Sequence, residues 1–404
     1  MDASQSAAWT EVFRDVVDRS HLLTGDQLSS MVDSVVRGLG LSAELYLVDL
    51  GQRVLSAVRP EGGDEVEVET GPAGRAYQLG EITTEIGEHG DRVLWVPMLD
   101  GTERAGVLRI GLAEGVREDE ALLRNAWSLS GMLGHIVMAK LPYSDRLRRM
   151  RNAGGLSTAS ELMWQLVPPR TMATERVVVT AILEPHGSVA GDAYDYSVDS
   201  DVAMLAVYDG LGHDLAATLT TALAMTAIRN ARRAGVTDLT ALAAGADDLL
   251  KEPRSPLRFV TAVLAQLDTR TGVFSYLLAG HPPPLLLRGG RLLKELDPPT
   301  RPPLGIGAGR LGTVREERLE PGDRLLLYSD GVVEARNDAG EFFGRDRLIE
   351  FTERAELDAL PAPETLRRLA AAVLHHQGGK LQDDATLLLV DWSAATHTRL
   401  FPAM

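Results

Sequence analysis

The chain has 404 residues, a length typical of two or three domains. Asp and Glu total 57 against 41 Lys and Arg, which gives a formal net charge of −16, and such an acidic surface repels phosphate backbones and anionic lipid. Cysteine is absent, which excludes disulfide frameworks, cysteine zinc sites, iron–sulfur clusters and cysteine-nucleophile enzymes. Because no apolar run reaches the ~20 residues of a membrane helix and the first residues lack an apolar signal core, we expect a cytoplasmic protein that binds neither nucleic acid nor membrane.

Two amphipathic helices are predicted first, and the second begins at a capping box formed by Thr24 and Gln27. The hydrophobic period then changes to two, which predicts an antiparallel meander with a short helix inserted from Gly71. The strands of this meander are predicted over residues 45–50, 53–58, 93–98 and 106–110.

This order of helices, antiparallel strands and a glycine-containing helical insertion resembles a GAF-type sensor domain. The best-matching stretches are GPAGRAYQLGEI, from Gly71, and VPMLDGTERAGVLRIGL, from Val96. The resemblance implies an α/β sensor domain over residues 1–118. A domain of this type binds a small ligand or only dimerises, and the sequence leaves both roles open.

Two apolar seams at helical spacing follow the sensor-like region. The first consists of Leu122, Ala126, Leu129, Leu133 and Ile136, and the second consists of Leu156, Ala159, Met163 and Leu166. They predict a helical linker over residues 119–168. Its helices either lie on their own domains or pair with a second chain as a parallel coiled coil, in which case the protein is a homodimer.

From residue 175 the chain becomes rich in strand-like apolar runs, with long helical stretches between some of them. Strands are predicted over residues 176–183, 202–208, 259–267, 273–278, 284–287, 323–328 and 385–390. Helices are predicted near residues 214–233, 237–251 and 363–377. Strands in series with inserted helices predict an α+β layered sandwich rather than alternating βαβ units.

Aspartates recur where three of these predicted strands begin or end: Asp209, Asp330, and the pair Asp383 and Asp384. Two more, Asp192 and Asp195, lie in the segment GDAYD. A single Asp-Gly after an apolar run is also ordinary turn chemistry. Several such acids in one domain, without a matching set of basic residues, raise one another's pKa unless a cation neutralises them. Oxygen ligands without cysteine favour hard ions such as Mg²⁺ or Mn²⁺.

Five segments, in order, resemble the motif set of PPM-type metal-dependent serine/threonine protein phosphatases, and in particular the bacterial SpoIIE/RsbU branch. They are VAGDAYDY, AVYDGLGHDLAATLTTALA, LLAGHPPPLLL, DRLLLYSDGVVEARN and QDDATLLLV. The resemblance implies a phosphatase domain over residues 169–393, built as a β-sandwich flanked by helices with metals in a cleft at one end. Residues 394–404 are then a tail.

The resemblance also implies two ions, Mn²⁺ or Mg²⁺. Their ligands are Asp192, Asp209, the Gly210 carbonyl, Asp330 and Asp383, and Asp209 and Asp192 are the catalytic pair. Such ions lower the pKa of a shared water so that it attacks phosphorus without a protein nucleophile. Asp195 is expected to bind through water or to orient Asp192, and the choice between Asp383 and Asp384 stays open.

Two histidines near these motifs have structural and chemical interpretations. His213 either donates a proton to the leaving group or caps and packs the helix that begins there. His281 is predicted to shape a turn through hydrogen bonds. Asp214 departs from the glycine usual in this family and places an acid at a helix start, where the helix dipole favours it.

The resemblance implies hydrolysis of phosphoserine or phosphothreonine on a partner protein, a STAS-type anti-sigma factor antagonist, under control of the GAF-like sensor. A catalytically weak pseudophosphatase or sensor scaffold that acts by binding proteins is the alternative, and the intact set of acids disfavours it. The dipeptide His213-Asp214 also suggests an HD-type phosphohydrolase. That chemistry needs its His and Asp ligands on helices, whereas the acids here lie at strand ends.

Overall fold

The computed structural model describes residues 3–59, 63–87, 90–152, 157–185, 190–212, 214–251, 258–306 and 309–393. The chain divides between residues 154 and 155 into two compact units, each with its own hydrophobic core. The predicted tail lies outside the described residues. Within the described ranges, none of the helices combines the length and the apolar character needed to cross a bilayer.

The N-terminal unit is an antiparallel sheet with helices packed on it. Its helices are α1 (Ala3–Ser20), α2 (Leu28–Val36), α3 (Gly71–Leu79), α4 (Glu120–Lys140) and α5 (Asp145–Arg151). Its strands are β1 (Leu41–Val48), β2 (Val54–Ala57), β3 (Glu65–Glu67), β4 (Thr83–Ile86), β5 (Arg92–Asp100) and β6 (Glu103–Leu112). The strand order is β3-β2-β1-β6-β5-β4. The predicted meander is confirmed, and β3 and β4 extend it at both edges.

The start of α2 shows how local sequence determines this part of the fold. The Thr24 backbone N–H donates to Gln27 Oε1 at 3.1 Å, as the predicted capping box requires. The Gln27 N–H in turn donates to the Thr24 carbonyl at 3.1 Å. These bonds satisfy donors that a helix start otherwise leaves without partners.

Helix α4 directs the first apolar seam into the core of its own unit. Leu129 and Leu133 are fully buried, and the Ser130 hydroxyl donates to the Pro97 carbonyl at 2.8 Å. Helix and strand come into backbone contact at Gly134, where an added Cβ would lie 2.0 Å from the Leu99 carbonyl oxygen. The absence of a side chain at Gly134 therefore sets how closely α4 packs on β5.

The C-terminal unit contains six helices and eleven strands among its described residues. The helices are α6 (Thr158–Leu166), α7 (Leu215–Arg233), α8 (Leu239–Leu250), α9 (Asp330–Val333), α10 (Gly344–Leu357) and α11 (Ala362–His376). The strands are β7 (Thr171–Ala173), β8 (Val177–Glu184), β9 (Asp192–Asp199), β10 (Val202–Gly210), β11 (Val260–Asp268), β12 (Val273–Ala279), β13 (Leu285–Arg288), β14 (Arg291–Glu295), β15 (Arg315–Arg318), β16 (Asp323–Tyr328) and β17 (Ala385–Trp392).

These strands form two antiparallel sheets that face each other across one core. The first sheet has the order β15-β12-β11-β10-β9, and the second has the order β14-β13-β16-β17-β8-β7. Helices α7 and α8 pack on the first sheet and α10 and α11 on the second, while α6 lies against α7. The predicted α+β class, a β-sandwich flanked by helices, is confirmed. The second apolar seam contributes Met163 to this core, and Leu156 lies outside the described residues.

The close approach at Gly134 predicts opposite effects for two glycines of one helix. Gly134→Ala should destabilise the N-terminal unit by about 1–3 kcal/mol, because the new methyl group overlaps the Leu99 carbonyl. Gly131→Ala meets nothing within 4 Å and should stabilise it by up to about 1 kcal/mol, since alanine is the better helix former. Hydrogen-exchange mass spectrometry of α4 and β5 in the full chain measures both. Equal effects of the two substitutions would contradict the packing described here.

Candidate active site

Two of the predicted acids face each other across neighbouring strands of the first sheet. In the register of β9 and β10, Asp192 lies directly opposite Asp209. Asp209 is in turn opposite Thr261 on β11, whose hydroxyl oxygen is 3.4 Å from Asp209 Oδ2. Because paired residues project on the same face of a sheet, the two carboxyl groups are neighbours on the inner face of the sandwich.

The second sheet contributes the other predicted acids at a tightly interlocked turn. The Ser329 N–H donates to the Thr386 carbonyl, and the Thr386 N–H donates to the Ser329 hydroxyl, each at 3.0 Å. A Cβ on Gly331 would lie 2.0 Å from the Asp384 carbonyl oxygen, so only glycine allows this approach. The segment that carries Asp330 is thereby held against the segment that carries Asp383 and Asp384.

Asp384 connects the two sheets. Its carboxylate accepts a hydrogen bond from the Gly191 N–H, which immediately precedes Asp192, and the Gly191 carbonyl accepts from the Gly210 N–H at 3.2 Å. Asp384 is buried, whereas Asp383 is exposed. The structure thus places the predicted acidic ligands near one another in pairs, and it adds Asp384 beside Asp192.

The acids of the cluster lie close together without a neighbouring positive charge among the described residues, and the pKa values of three of them are raised. Burial, together with the charges of Asp330 and Asp383, raises the pKa of Asp209 to about 8. Burial also raises the pKa of Asp192 well above its usual range, assisted by Asp209 and Asp384. The pKa of Asp330 rises through burial and the nearby charge of Asp383. A cation among these groups would stabilise their ionised forms.

The donor set fits a hard divalent cation. Asp192 Oδ2 is buried and has no hydrogen-bond partner, and the side chains of the cluster offer only oxygen, which Mg²⁺ and Mn²⁺ prefer. The Asp209 carboxyl is close to the Asp192 carboxyl on one side and to the Asp330 carboxyl on the other. Within the described ranges, no group of three or more His, Asp or Glu side chains is arranged so that it could hold a metal ion. The ligand roles of Asp192, Asp209, Gly210, Asp330 and Asp383 therefore remain predictions.

Asp195 has a different role from the one expected. Its carboxylate pairs with Arg229 at 2.7 Å and with Arg232 at 3.2 Å, both on α7. Residues three apart on a strand point to opposite faces, so Asp195 faces the helices while Asp192 faces the sandwich interior. The expectation that Asp195 orients Asp192 or reaches an ion through water is wrong.

The predicted hydrogen-bonding role of His281 is confirmed. The imidazole is buried, with Nδ1 2.7 Å from the Thr261 hydroxyl and Nε2 3.1 Å from the Tyr328 carbonyl oxygen. Burial lowers the pKa of His281 to about 3, so the ring is neutral, and its Nε2–H donates to the carbonyl. His281 thereby braces Thr261, next to Asp209, against the strand that leads to Asp330.

The segment after Asp209 and Gly210 begins helix α7. The Asp214 carboxylate accepts the Ala217 N–H at 2.7 Å and caps the helix, as the helix dipole favours. This confirms the expectation for Asp214. His213 lies outside the described residues, so its two interpretations stay open.

The raised pKa of Asp209 predicts how stability depends on pH in the presence of EDTA. An acid whose pKa is raised on folding favours the folded state below its unfolded pKa, near 4, and this contribution is lost as pH rises through about 8. Asp209→Asn removes that loss, so the variant should be more stable than wild type at pH 8 by about 1–3 kcal/mol, with a smaller difference at pH 5.

Thermal unfolding in EDTA at both pH values measures this difference. Asp248→Asn, at an exposed position on α8, is the matched control and should change stability little at either pH. If Asp209→Asn changes the stability by the same amount at both pH values, ionisation of the Asp209 carboxyl is not the cause of the change.

Comparison with known proteins finds a family and several relatives that are similar to this chain. Residues 199–393 match the family model described as Stage II sporulation protein E (SpoIIE). The chain is 24% identical over 332 residues to protein IcfG of Synechocystis sp. (strain ATCC 27184 / PCC 6803 / Kazusa), an alignment that covers 73% of this chain and 51% of that protein. It is 24% identical over 236 residues to phosphoserine phosphatase RsbU of Bacillus subtilis (strain 168), covering 58% of this chain and 69% of RsbU.

A solved structure also aligns with this chain. The RsbU and RsbW domains of Rv1364c from Mycobacterium tuberculosis are 27% identical, with a TM-score of 0.48, over 57% of this chain and 64% of that one. The chain spans about half the length of IcfG, the first of the curated relatives. The family match covers the motifs that carry Asp209, Asp330 and Asp383. The C-terminal unit is therefore similar to the SpoIIE family and to RsbU.

Proposed function

We propose that this protein is a metal-dependent protein serine/threonine phosphatase. The observation that carries the proposal is the convergence of Asp192, Asp209, Asp330 and Asp383, which are far apart in the sequence, at one end of the sandwich. The relative from Bacillus subtilis is named a phosphoserine phosphatase. Cysteine is absent from the chain, so hydrolysis has to proceed without a cysteine nucleophile.

In this proposal two Mn²⁺ or Mg²⁺ ions are held by the four aspartates and the Gly210 carbonyl. When bound, they supply Lewis-acid stabilisation of the phosphoryl oxygens and a more acidic water. The chain's own residues position the ligands: Thr261 and His281 brace Asp209, and Asp384 fixes the backbone that precedes Asp192. Such positioning matters because phosphoryl transfer depends mainly on orientation and charge stabilisation.

The substrate in this proposal is a phosphorylated partner protein, a STAS-type anti-sigma factor antagonist, and the protein acts in the cytoplasm. The N-terminal unit is proposed to be a GAF-like sensor that controls the phosphatase through the segment 119–168, in response to a small ligand or through homodimerisation. The curated relative RsbU, named a phosphoserine phosphatase, supports the reaction class. The sensor role rests on the sequence resemblance alone.

Removing a carboxylate from the cluster should abolish hydrolysis. With Mn²⁺, wild type should hydrolyse p-nitrophenyl phosphate and phosphoserine peptides, and Asp209→Ala or Asp330→Ala should lower kcat by roughly 100-fold or more because charge stabilisation at phosphorus is lost. Circular dichroism shows whether each variant keeps its fold. Asp248→Ala, at an exposed position on α8, should keep full activity.

Two outcomes would contradict the proposal. Full wild-type activity after exhaustive chelation would reject the metal-dependent reaction. Metal binding without any hydrolysis of these substrates would instead support the pseudophosphatase alternative. Metal binding itself is read from thermal stability, since an ion present at 100 times its Kd adds roughly 2.7 kcal/mol.

A further inference from the structure

A groove of about 740 Å³ lies beside the acidic cluster. We call it the Phe342 groove. Its apolar lining is Pro282, Pro283, Tyr328, Val333, Phe342 and Phe343. Gly344 and five charged residues complete its lining: Glu295, Glu334, Arg345, Asp346 and Arg347. Concave apolar surfaces with a few polar groups are the usual form of a binding site.

The groove adjoins the residues proposed to carry out hydrolysis. Tyr328 is separated from Asp330 only by Ser329, and the Glu334 N–H donates to the Asp330 carbonyl at 2.8 Å. Pro282 follows His281, which is hydrogen-bonded to the Tyr328 carbonyl. A chain segment with a phosphorylated side chain at the cluster therefore has its neighbouring residues within reach of the groove.

The wall that carries Phe342 is held in place by specific hydrogen bonds. Phe342 and Arg336 form a β-bridge, and the Phe343 N–H donates to the Ala335 carbonyl at 2.6 Å. Gln382, next to Asp383, donates from its side-chain amide to the Arg336 carbonyl at 3.0 Å. The loop is therefore tied to the segment that supplies the last acid of the cluster.

The Phe342 ring remains accessible although its backbone is fixed. The residue is 47% exposed, and the Arg336 guanidinium lies over the ring, 4.5 Å from its centroid. Arg347 donates to the Phe342 carbonyl at 2.8 Å, which restrains the residue from the side of α10. An aromatic ring held on the surface beside a reaction centre has the properties of a recognition anchor, because its orientation requires little further ordering on binding.

We propose that the Phe342 groove seats an apolar side chain of the phosphoprotein substrate, close in sequence to the phosphorylated serine or threonine. This inference rests on the proposed phosphatase function and makes Phe342 a specificity residue for it. Pro282 and Pro283 supply the facing apolar surface, and Arg336 holds the ring. Arg345, at the edge of this apolar surface, is paired with Glu295.

Two phosphoserine peptides test the groove, one with leucine on both sides of the phosphoserine and one with serine there. With Mn²⁺, wild type should show about tenfold higher kcat/KM on the leucine peptide. Phe342→Ala should remove this preference, and Phe342→Leu should retain most of it. Hydrolysis of p-nitrophenyl phosphate, which has no flanking residues, should not change in either variant. Leu357→Ala, at an 82% exposed position on α10, is the matched control and should behave as wild type.

The two proposals fail in different ways. Absence of p-nitrophenyl phosphate hydrolysis by wild type would overturn the phosphatase function and the groove with it. If that hydrolysis is intact but wild type uses both peptides equally, or if Phe342→Ala keeps the leucine preference, the groove assignment alone is overturned. A loss of p-nitrophenyl phosphate hydrolysis in Phe342→Ala would also overturn it, because the residue would then support the acidic cluster rather than select substrate.

Discussion

Mutual repulsion between closely spaced carboxylates is the constraint around which the C-terminal unit is organised. Asp192 and Asp209 are adjacent because their strands pair in that register, and Asp330 joins them because Gly331 lets two turns touch. None of these placements relieves the charge, and the raised pKa of Asp209 reflects this. The backbone thus enforces an arrangement that the side chains alone would not adopt, and a cation is the species that would make it favourable.

Strand β9 shows that this charge imbalance is local. Asp195 lies three residues after Asp192, and it is matched by two arginines of α7. The same strand therefore holds one acid with a structural ion pair and another whose Oδ2 has no hydrogen-bond partner. His281 does not offset the negative charge of the cluster either, because burial keeps its ring neutral and it contributes only hydrogen bonds.

Much of this architecture follows from local sequence. The apolar runs predicted as strands over 202–208 and 385–390 are observed as β10 and β17, because continuous apolar stretches specify strands that are buried on both faces. Strand β9 was missed because aspartate disfavours strands, although the alternation of Tyr194, Tyr196 and Val198 was an available signal. Helix α10 was missed because its sequence is dominated by charged residues.

The acidic motifs led to the correct cluster, but the direction of each side chain required the tertiary structure. Neighbouring acids such as Asp383 and Asp384 are equivalent in a sequence, and only the hydrogen bond to Gly191 shows that the second of them points inward. Asp195 was misassigned for a related reason. Its motif places it near Asp192, whereas strand alternation and two arginines distant in sequence place it on the opposite face.

The packing of α4 has a consequence for self-association. Leu129 and Leu133 already fill the interior of the N-terminal unit, so they cannot also line a helix pair with another protomer. The exposed positions of α4 include Arg124, Ser128 and His135. A coiled coil that paired α4 with another protomer through Leu129 and Leu133 would expose this core surface to water. The cost would be about 25 cal/mol for each Å² of apolar surface exposed. Such a coiled coil and the folded N-terminal unit are therefore mutually exclusive states of the same residues.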